Sequence, residues 1–479
     1  MNQKVYITTS IPYVNSHPHV GHAQEFVIAD AIARLYKQSG YQTHLQTGTD
    51  ENALKNVISA RAQGISAQAL VDRNAAAFRD LADRLHVDYQ SFLRTTDRKH
   101  REGVTEFFSR LKKDDLYSST YSGLYCVGCE DFYREEDLID GLCPDHRKRP
   151  EEISEENLYF RLSRYQDRLL DLISRDEIRI IPEFRKNEVL SFIRRGLQDI
   201  SITRSKARSE GWGIEAPGHP DQVIYVWIDA LINYVSGVGF ESWSEDQLRI
   251  HVIGKNVWKF HTVYWPALLL SAGLALPSEI VVHGFLTTDG VKISKSLGNS
   301  VDPRELVSRN GVDGLRHYLL QKLALYQDAD FSEENLRAAY TKDLAHRLGN
   351  LISRLVVLAD KDDFRPSLQT HDLSFDWRKD YDLGAYGAQA WAIIDRVNAE
   401  INEARPWELL KAGDREKFRS LITRWFSEVH VAAQALAPLL PESAPRIERL
   451  FRGERIESRV VFPALNPRNG APVPTSETA

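Results

Sequence analysis

The sequence predicts an α/β fold in which an open parallel sheet is interrupted by an inserted segment and followed by an antiparallel helix bundle. Strand-like and helix-like patterns alternate up to about Thr96, as they do in βαβ units. The cysteines all fall in an irregular stretch between Tyr117 and Gly211, which breaks that alternation. From Asp343 onward the periodicity is helical alone.

KVYITTSI, near the N-terminus, is β-branched, apolar and short, as a buried strand is. VGHAQEFVIADAIARLYKQSG then spaces Ile28, Ile32 and Leu35 for a helix and stops at Gly40. THLQTG reads as a second strand. Within the irregular stretch, SRYQDRLLDLIS and NEVLSFIRRGL are helical. Strand signals resume at QVIYVWIDA, RIHVIGK and SEIVVHGF, each followed by a helix or loop. Later, Leu348, Leu351, Ile352 and Leu355 share one helical face, and Phe418, Leu421, Ile422, Trp425, Phe426 and Val429 repeat the period. An antiparallel bundle buries such faces.

At 479 residues the chain is too long for one ordinary core, so two or three domains are expected. A hydrophobic fraction of 42% beside 27% charged residues describes a globular protein and excludes a disordered one. The start MNQKVYITT lacks an apolar signal core, and the run ALLLSAGLALP is far too short to span a bilayer, so a cytoplasmic location and no membrane partner are expected. A net charge of −6 gives no global attraction to nucleic acid. Such a partner needs local basic patches like DRKHR, IRRG and TRSKARS, each of which alone is best read as a solvated face. Only the tail NPRNGAPVPTSETA (466–479) has the composition of disorder.

In PYVNSHPHVGH, His19 and His22 flank Gly21 where the first strand gives way to a helix. In a parallel α/β sheet that junction lies at the carboxyl end of the strand, where ligands bind, and a helix N-terminus there offers N–H groups to a phosphate. Two imidazoles three residues apart on the first turn would face the same ligand.

The segment CVGCEDFYREEDLIDGLCPDH gives Cys126-x2-Cys129 and Cys143-x2-His146, two knuckles that together close a tetrahedral Cys3His site on Zn²⁺. A redox dithiol would not need the second pair, and three unrelated buried thiols would not need the spacing. Four protein ligands leave no open position, so one structural Zn²⁺ is expected. Farther on, LTTDGVKISKSLGNSVDP (286–303) alternates Lys292 and Lys295 with Ser294 and Ser296 between Gly290 and Gly298. A mobile loop of this kind can bring two ammonium groups onto polyphosphate oxygens; the bland alternative is a solvated basic turn.

Together PHVGH and KISKS resemble the two signatures of class I aminoacyl-tRNA synthetases, in the right order. IPYVN, TGTDEN, the zinc insertion, YVWIDALINYV, HVIGK, FHTVYWPALLL and VVHGFLTTDGVKISKSLGN narrow the resemblance to the methionyl-tRNA synthetase family of the bacterial type with one zinc knuckle, nearly continuously from Tyr6 to Pro463. The resemblance implies a Rossmann-like catalytic domain (1–115 and 215–290), an inserted connective domain with the zinc knuckle (116–214), a lysine-loop and stem-contact region (291–342) and an anticodon-binding bundle (343–465). It implies activation of L-methionine by ATP with Mg²⁺, then transfer to the terminal adenosine of initiator and elongator tRNA(Met), by resemblance to its 2′-OH. His19, His22, Lys292 and Lys295 would be catalytic, and Gly21, Gly254, Asn256 and Ser294 would complete the ATP site. Asp50 would accept the substrate ammonium, with Ile11, Tyr13, Trp227, Ala230, Leu231, Tyr234, Phe260 and His261 around its side chain. Tyr13 and His261 would offer polar hydrogens to the thioether sulfur. Asn350, Arg354 and Trp407 would read the anticodon by stacking and base-edge hydrogen bonds.

The chain departs from that family's usual pattern at Asn52 and Ala53, where His-Gly is usual, at Asn256 for Asp, and at Ile293 for methionine. These positions cluster at the active site, which leaves open a specialised paralogue with altered amino-acid or inhibitor specificity. A non-catalytic tRNA-binding paralogue would have no need of both histidines, both lysines and Asp50. A small nucleotidyltransferase also uses HxGH but would not need the zinc insertion or the bundle. A monomer is expected, since no oligonucleotide-binding module follows VVFPALNP.

Overall fold

The structure, a computed structural model, describes residues 3–126, 131–133, 135–144, 147–244, 246–288, 290–293, 301–368, 377–453 and 460–465. They form two compact units, the first made of Met1–Pro18, Ser39–Asp80 and Tyr89–His283, the second of His19–Gln38, Leu81–Asp88 and Gly284–Ala479.

The first unit is built on a six-stranded, all-parallel sheet in the order Ser91–Arg94, Gln42–Thr49, Lys4–Thr9, Gln247–Gly254, Glu279–His283, Arg179–Ile181. Val5, Tyr6, Ile7, Ile250, Val252 and Ile280 are buried on both faces, which explains their unbroken apolar runs. Chain order reverses direction between Lys4–Thr9 and Gln247–Gly254, and such a switch point opens a crevice at the strands' carboxyl ends. Gly48 is obligatory: a Cβ there would stand 2.0 Å from the Leu93 carbonyl oxygen.

Two sequence expectations are corrected here. QVIYVWIDA is not one strand: the strand His219–Ile224 ends before Tyr225, pairs antiparallel with Thr203–Ser205, and gives way to the helix Val226–Val238. That helix buries Val226, Ile228, Ala230, Leu231, Ile232, Tyr234 and Val235, and a helix packed on every side carries no amphipathic period to read. The segment 116–214 is not wholly a separate insertion either, because Arg179–Ile181 extends the parallel sheet beside Glu279–His283. A strand of three residues is too short to leave a sequence signal. Within the segment, Leu116–Cys126 pairs antiparallel with Glu151–Phe160 along a long ribbon, and Asp131–Tyr133 and Ile200–Ser201 flank it.

In the second unit the helix Val20–Gln38 is fastened by a buried ion pair, Arg316 Nη2 to Asp30 Oδ2 at 2.6 Å, both fully buried. Arg316 also donates to the carbonyls of Leu85, Pro438 and Leu439, so each of its three nitrogens has a partner and the buried charge is tolerable. The helices Asn350–Lys361, Leu383–Ala404, Arg415–Leu436 and Ser443–Phe451 follow. Leu348, Leu351, Ile352, Leu355, Phe418, Ile422, Trp425, Phe426 and Val429 are buried as their spacing predicts, while Leu421 is half-buried. Among the described residues no helix is long and apolar enough to cross a membrane. The tail 466–479 lies outside the described residues.

Candidate active site

In the first unit, the residues expected around an amino-acid side chain converge from four segments near the carboxyl ends of the sheet. Ile11 and Tyr13 follow Lys4–Thr9, Asp50 follows Gln42–Thr49, and Trp227, Ala230, Leu231 and Tyr234 lie on Val226–Val238. Phe260 and His261 sit in a π-helical turn, Phe260–Tyr264, whose widened hydrogen bonding runs from the Trp265 N–H to the Phe260 carbonyl. Such turns recur at functional sites because they re-aim side chains within a helix. Trp227 stacks on Phe260 with centroids 4.1 Å apart and planes 6° from parallel, and Tyr13 meets Trp227 edge-on at 5.8 Å. These aromatics form a wall that attracts a polarizable sulfur. Ile11 is half-buried, and Ala230 and Leu231 are buried on the same helix as Trp227.

The polar side of this group is set by His261. Its Nδ1 lies 2.9 Å from the Val257 carbonyl, which can only accept, so Nδ1 carries the proton of the neutral ring. Nε2 is then the acceptor and takes the Tyr234 hydroxyl hydrogen at 2.7 Å. Both ring nitrogens of His261 thus have protein partners, the Val257 carbonyl and the Tyr234 hydroxyl. Behind Tyr234, at 4.2 Å between ring centroids, lies fully buried His251. The Trp265 indole N–H donates to its Nε2 at 3.2 Å, so Nδ1–H donates to Thr8 Oγ1 at 2.6 Å. Burial, and then the neighbouring His261 and Arg249, hold its pKa well below the usual range, so it is a neutral packing ring.

Asp50 is 1% exposed and its N–H donates to the Pro12 carbonyl at 2.9 Å, tying it to Tyr13 in a parallel bridge. The next residue, Glu51, is fully buried and takes a two-pronged bond from Arg94, Nε to Oε1 at 2.6 Å and Nη2 to Oε2 at 2.9 Å. The Trp212 indole donates to the Glu51 carbonyl at 2.8 Å, and Lys55 Nζ lies 4.1 Å above the Tyr13 ring. Sequence reasoning missed Val257, and also Arg94, Trp212 and Lys55, whose roles depend on partners distant in the chain. Gly254 is buried at the end of its strand, and a Cβ on it would stand 3.1 Å from Asn256 Oδ1. Asn256 itself is exposed.

The second unit carries the histidine pair. The rings of His19 and His22 stack with centroids 3.9 Å apart. The Gly21 N–H donates to His19 Nδ1 at 3.2 Å and the His19 N–H to His22 Nδ1 at 3.1 Å. The expectation that the helix start presents its own N–H groups to a phosphate is thereby revised: these two serve the rings. With both Nδ1 atoms accepting, each neutral ring has its hydrogen on Nε2. Burial, and then His19, lower the pKa of His22 well below the usual range, so it is neutral at pH 7.

Lys292 lies on Val291–Lys292, which pairs antiparallel with Leu286–Thr288; Asp330 secures this hairpin by accepting from Thr287 Oγ1 at 2.8 Å and the Gly290 N–H at 3.0 Å. Ile293 is buried, in keeping with an apolar residue there. Ser294 and Lys295 lie outside the described residues. Cys126, ending its ribbon strand, and Cys143 are both buried, and neither is in a disulfide with the other. Asp140 and Gly141, both at positive φ, turn a tight hairpin between Ile139 and Leu142 that leads into Cys143. Cys129 and His146 lie outside the described residues, among which no metal-ligating group of three is found. Farther along, the Arg354 guanidinium lies 5.5 Å from the centre of the Trp407 ring and donates to Asn402 Oδ1 at 2.7 Å, while Asn350 is exposed one turn earlier.

A parallel sheet with a switch point, whose first strand leads into a helix headed by HVGH, is the arrangement of a class I tRNA synthetase, and the family comparison shows that class. The profile of tRNA synthetases class I (M) matches residues 5–153 and 146–356, and the chain belongs to this methionyl family of ligases. It is 37% identical to the methionine–tRNA ligase of Thermotoga maritima over 95% of this chain and 76% of the relative. It is also 37% identical to that of Mycobacterium bovis, over 98% of this chain and 96% of the relative. Its structure is similar to Mycobacterium tuberculosis methionyl-tRNA synthetase in complex with methionyl-adenylate, with a TM-score of 0.88, 36% identity and 99% of both chains covered.

Proposed function

We propose that this chain activates L-methionine with ATP and transfers it to tRNA(Met). The observation that carries the reading beyond family membership is the aromatic wall of Trp227, Phe260 and Tyr13 beside buried Asp50, a site for an apolar, polarizable side chain next to an ammonium acceptor. The methionine carboxylate attacks the α-phosphorus, the bond to the β-phosphate oxygen breaks, and pyrophosphate leaves. The ribose hydroxyl of the tRNA terminus then attacks the acyl carbon and AMP leaves. Neither step needs a redox partner. The protein positions the reactants and stabilises charge on the phosphates.

His19 and His22 supply Nε2–H donors to phosphate oxygens, and Lys292 and Lys295 bring positive charge. Gly21, Gly254, Asn256 and Ser294 line the nucleotide, and Asp50 holds the ammonium. Mg²⁺ supplies charge neutralisation on ATP when bound. Cys126, Cys129, Cys143 and His146 would hold one structural Zn²⁺; the two described members are buried cysteines, which suits thiolate ligation. Arg354 beside Trp407, with Asn350 on the same helix, is a stacking and hydrogen-bonding set for splayed anticodon bases. Location in the cytoplasm follows from a reaction that serves translation there, and a monomer suffices because every residue given a role lies on one chain.

Pyrophosphate exchange with ATP across all twenty amino acids, followed by charging of initiator and elongator tRNA(Met), tests the proposal. Exchange with methionine alone, followed by charging, is expected. Exchange with another amino acid, or none, sinks it.

A further inference from the structure

The proposed amino-acid pocket has two halves borne by distant parts of the chain: the loop with Asp50, and the helix Val226–Val238 with Trp227, Ala230, Leu231 and Tyr234. Asn52 joins them. Its Nδ2 donates to Asp229 Oδ2 at 2.7 Å and to the Thr95 carbonyl at 3.2 Å, while its backbone N–H donates to Asp50 Oδ1 at 3.3 Å. Two acceptors around Nδ2 fix which end of the amide is nitrogen. Asp229 is 1% exposed, and its other oxygen, Oδ1, meets His100 Nε2 at 2.6 Å; His100 Nδ1 in turn meets Ser236 Oγ at 2.7 Å on the same helix. Asp229 lies between Trp227 and Ala230 in sequence, so whatever holds its carboxylate holds the helix turn that forms the apolar wall.

We propose that Asn52 is a positioning residue for the amino-acid substrate: through Asp229 it latches the Asp50 loop to the pocket helix. A short bond to a buried carboxylate is among the stronger neutral-to-charged hydrogen bonds, and it acts where small displacements matter. The backbone bond from Asn52 to Asp50 Oδ1 makes the same residue orient the ammonium acceptor. Asn52 therefore sets the spacing between ammonium and side-chain subsites, without contacting the nucleotide. The inference rests on the methionine-activation reading above.

The test uses the full chain in pyrophosphate exchange, with the amino acid that the wild type activates. Asn52→Leu removes the donor at similar volume and should raise KM for the amino acid at least about tenfold, while KM for ATP stays within about threefold. Asn52→Asp sets a carboxylate against Asp229; its amino-acid KM should be raised at about pH 8 and recover several-fold towards about pH 6, as the pair takes up a shared proton and regains a donor. An unchanged amino-acid KM in Asn52→Leu, an equal rise in both KM values, or a pH-independent defect in Asn52→Asp overturns the latch. If the wild type exchanges with no amino acid, the functional reading has failed. The latch is then judged on unfolding: the stability gap between Asn52→Asp and wild type must narrow as pH falls, and a constant gap overturns it.

Discussion

Tyr234→Phe removes one oxygen from a ring that is 1% exposed, and its consequence is fixed by the tautomer of His261. The Val257 carbonyl keeps the proton on Nδ1, so Nε2 loses the hydroxyl that it accepts from at 2.7 Å and cannot turn into a donor. His261 is 2% exposed, and stranding a buried acceptor costs ~1–3 kcal/mol. With a denaturant slope of ~3 kcal/mol per molar urea, the unfolding midpoint should fall by ~0.3–1 M, read by tryptophan fluorescence. Tyr6→Phe is the control. Its hydroxyl donates to the Tyr234 carbonyl at 3.0 Å, but that oxygen lies within a helix and keeps its backbone partner, so only ~0.5–1.5 kcal/mol is at stake. The amino-acid KM should rise in Tyr234→Phe and stay near wild type in Tyr6→Phe. A Tyr234→Phe protein as stable as Tyr6→Phe, with unchanged KM, would refute the tautomer assignment.

Acidification should destabilise the fold. His22 and His251 have folded pKa values well below 6.5, chiefly through burial, so the unfolded chain binds their protons first and stability falls as pH drops below about 6.5. His251→Phe should make that decline shallower between about pH 7 and pH 5, measured by urea unfolding at each pH; an unchanged slope would count against the buried neutral ring. Trp407→Ala should lower charging of tRNA(Met) about tenfold or more while sparing pyrophosphate exchange, and equal loss of both would remove its proposed anticodon role. Cys126→Ser should abolish stoichiometric zinc in metal analysis of the purified protein; retained zinc would sink the Cys3His proposal.

The histidine pair, Asp50 and the residues of the aromatic wall were legible as candidates because they sit in short motifs that carry the family resemblance. The order of the sheet and the edge strand Arg179–Ile181 were not, since pairing between residues 100 apart leaves no local pattern. For the same reason the Asn52–Asp229–His100 chain escaped sequence reasoning, which registered Asn52 only as a departure from a family pattern. The helix Val226–Val238 misled by being apolar throughout, whereas Asn350–Lys361 announced itself by burying one face.

The paired imidazoles at the head of Val20–Gln38 have a bearing on turnover. Each ring has its Nδ1 occupied by a main-chain N–H of the same turn, and His22 resists protonation, so in the proposed reaction His22 would hold phosphate by direction instead of by charge. Such a grip is strong only while the oxygens lie where the ring points. Once the leaving group has broken away and swung out of line, little Coulombic attraction from that ring would hold it back. A cationic clamp at the same spot would retain the departing polyanion and slow the cycle, so on the proposed reading a neutral imidazole at His22 would favour expulsion of pyrophosphate.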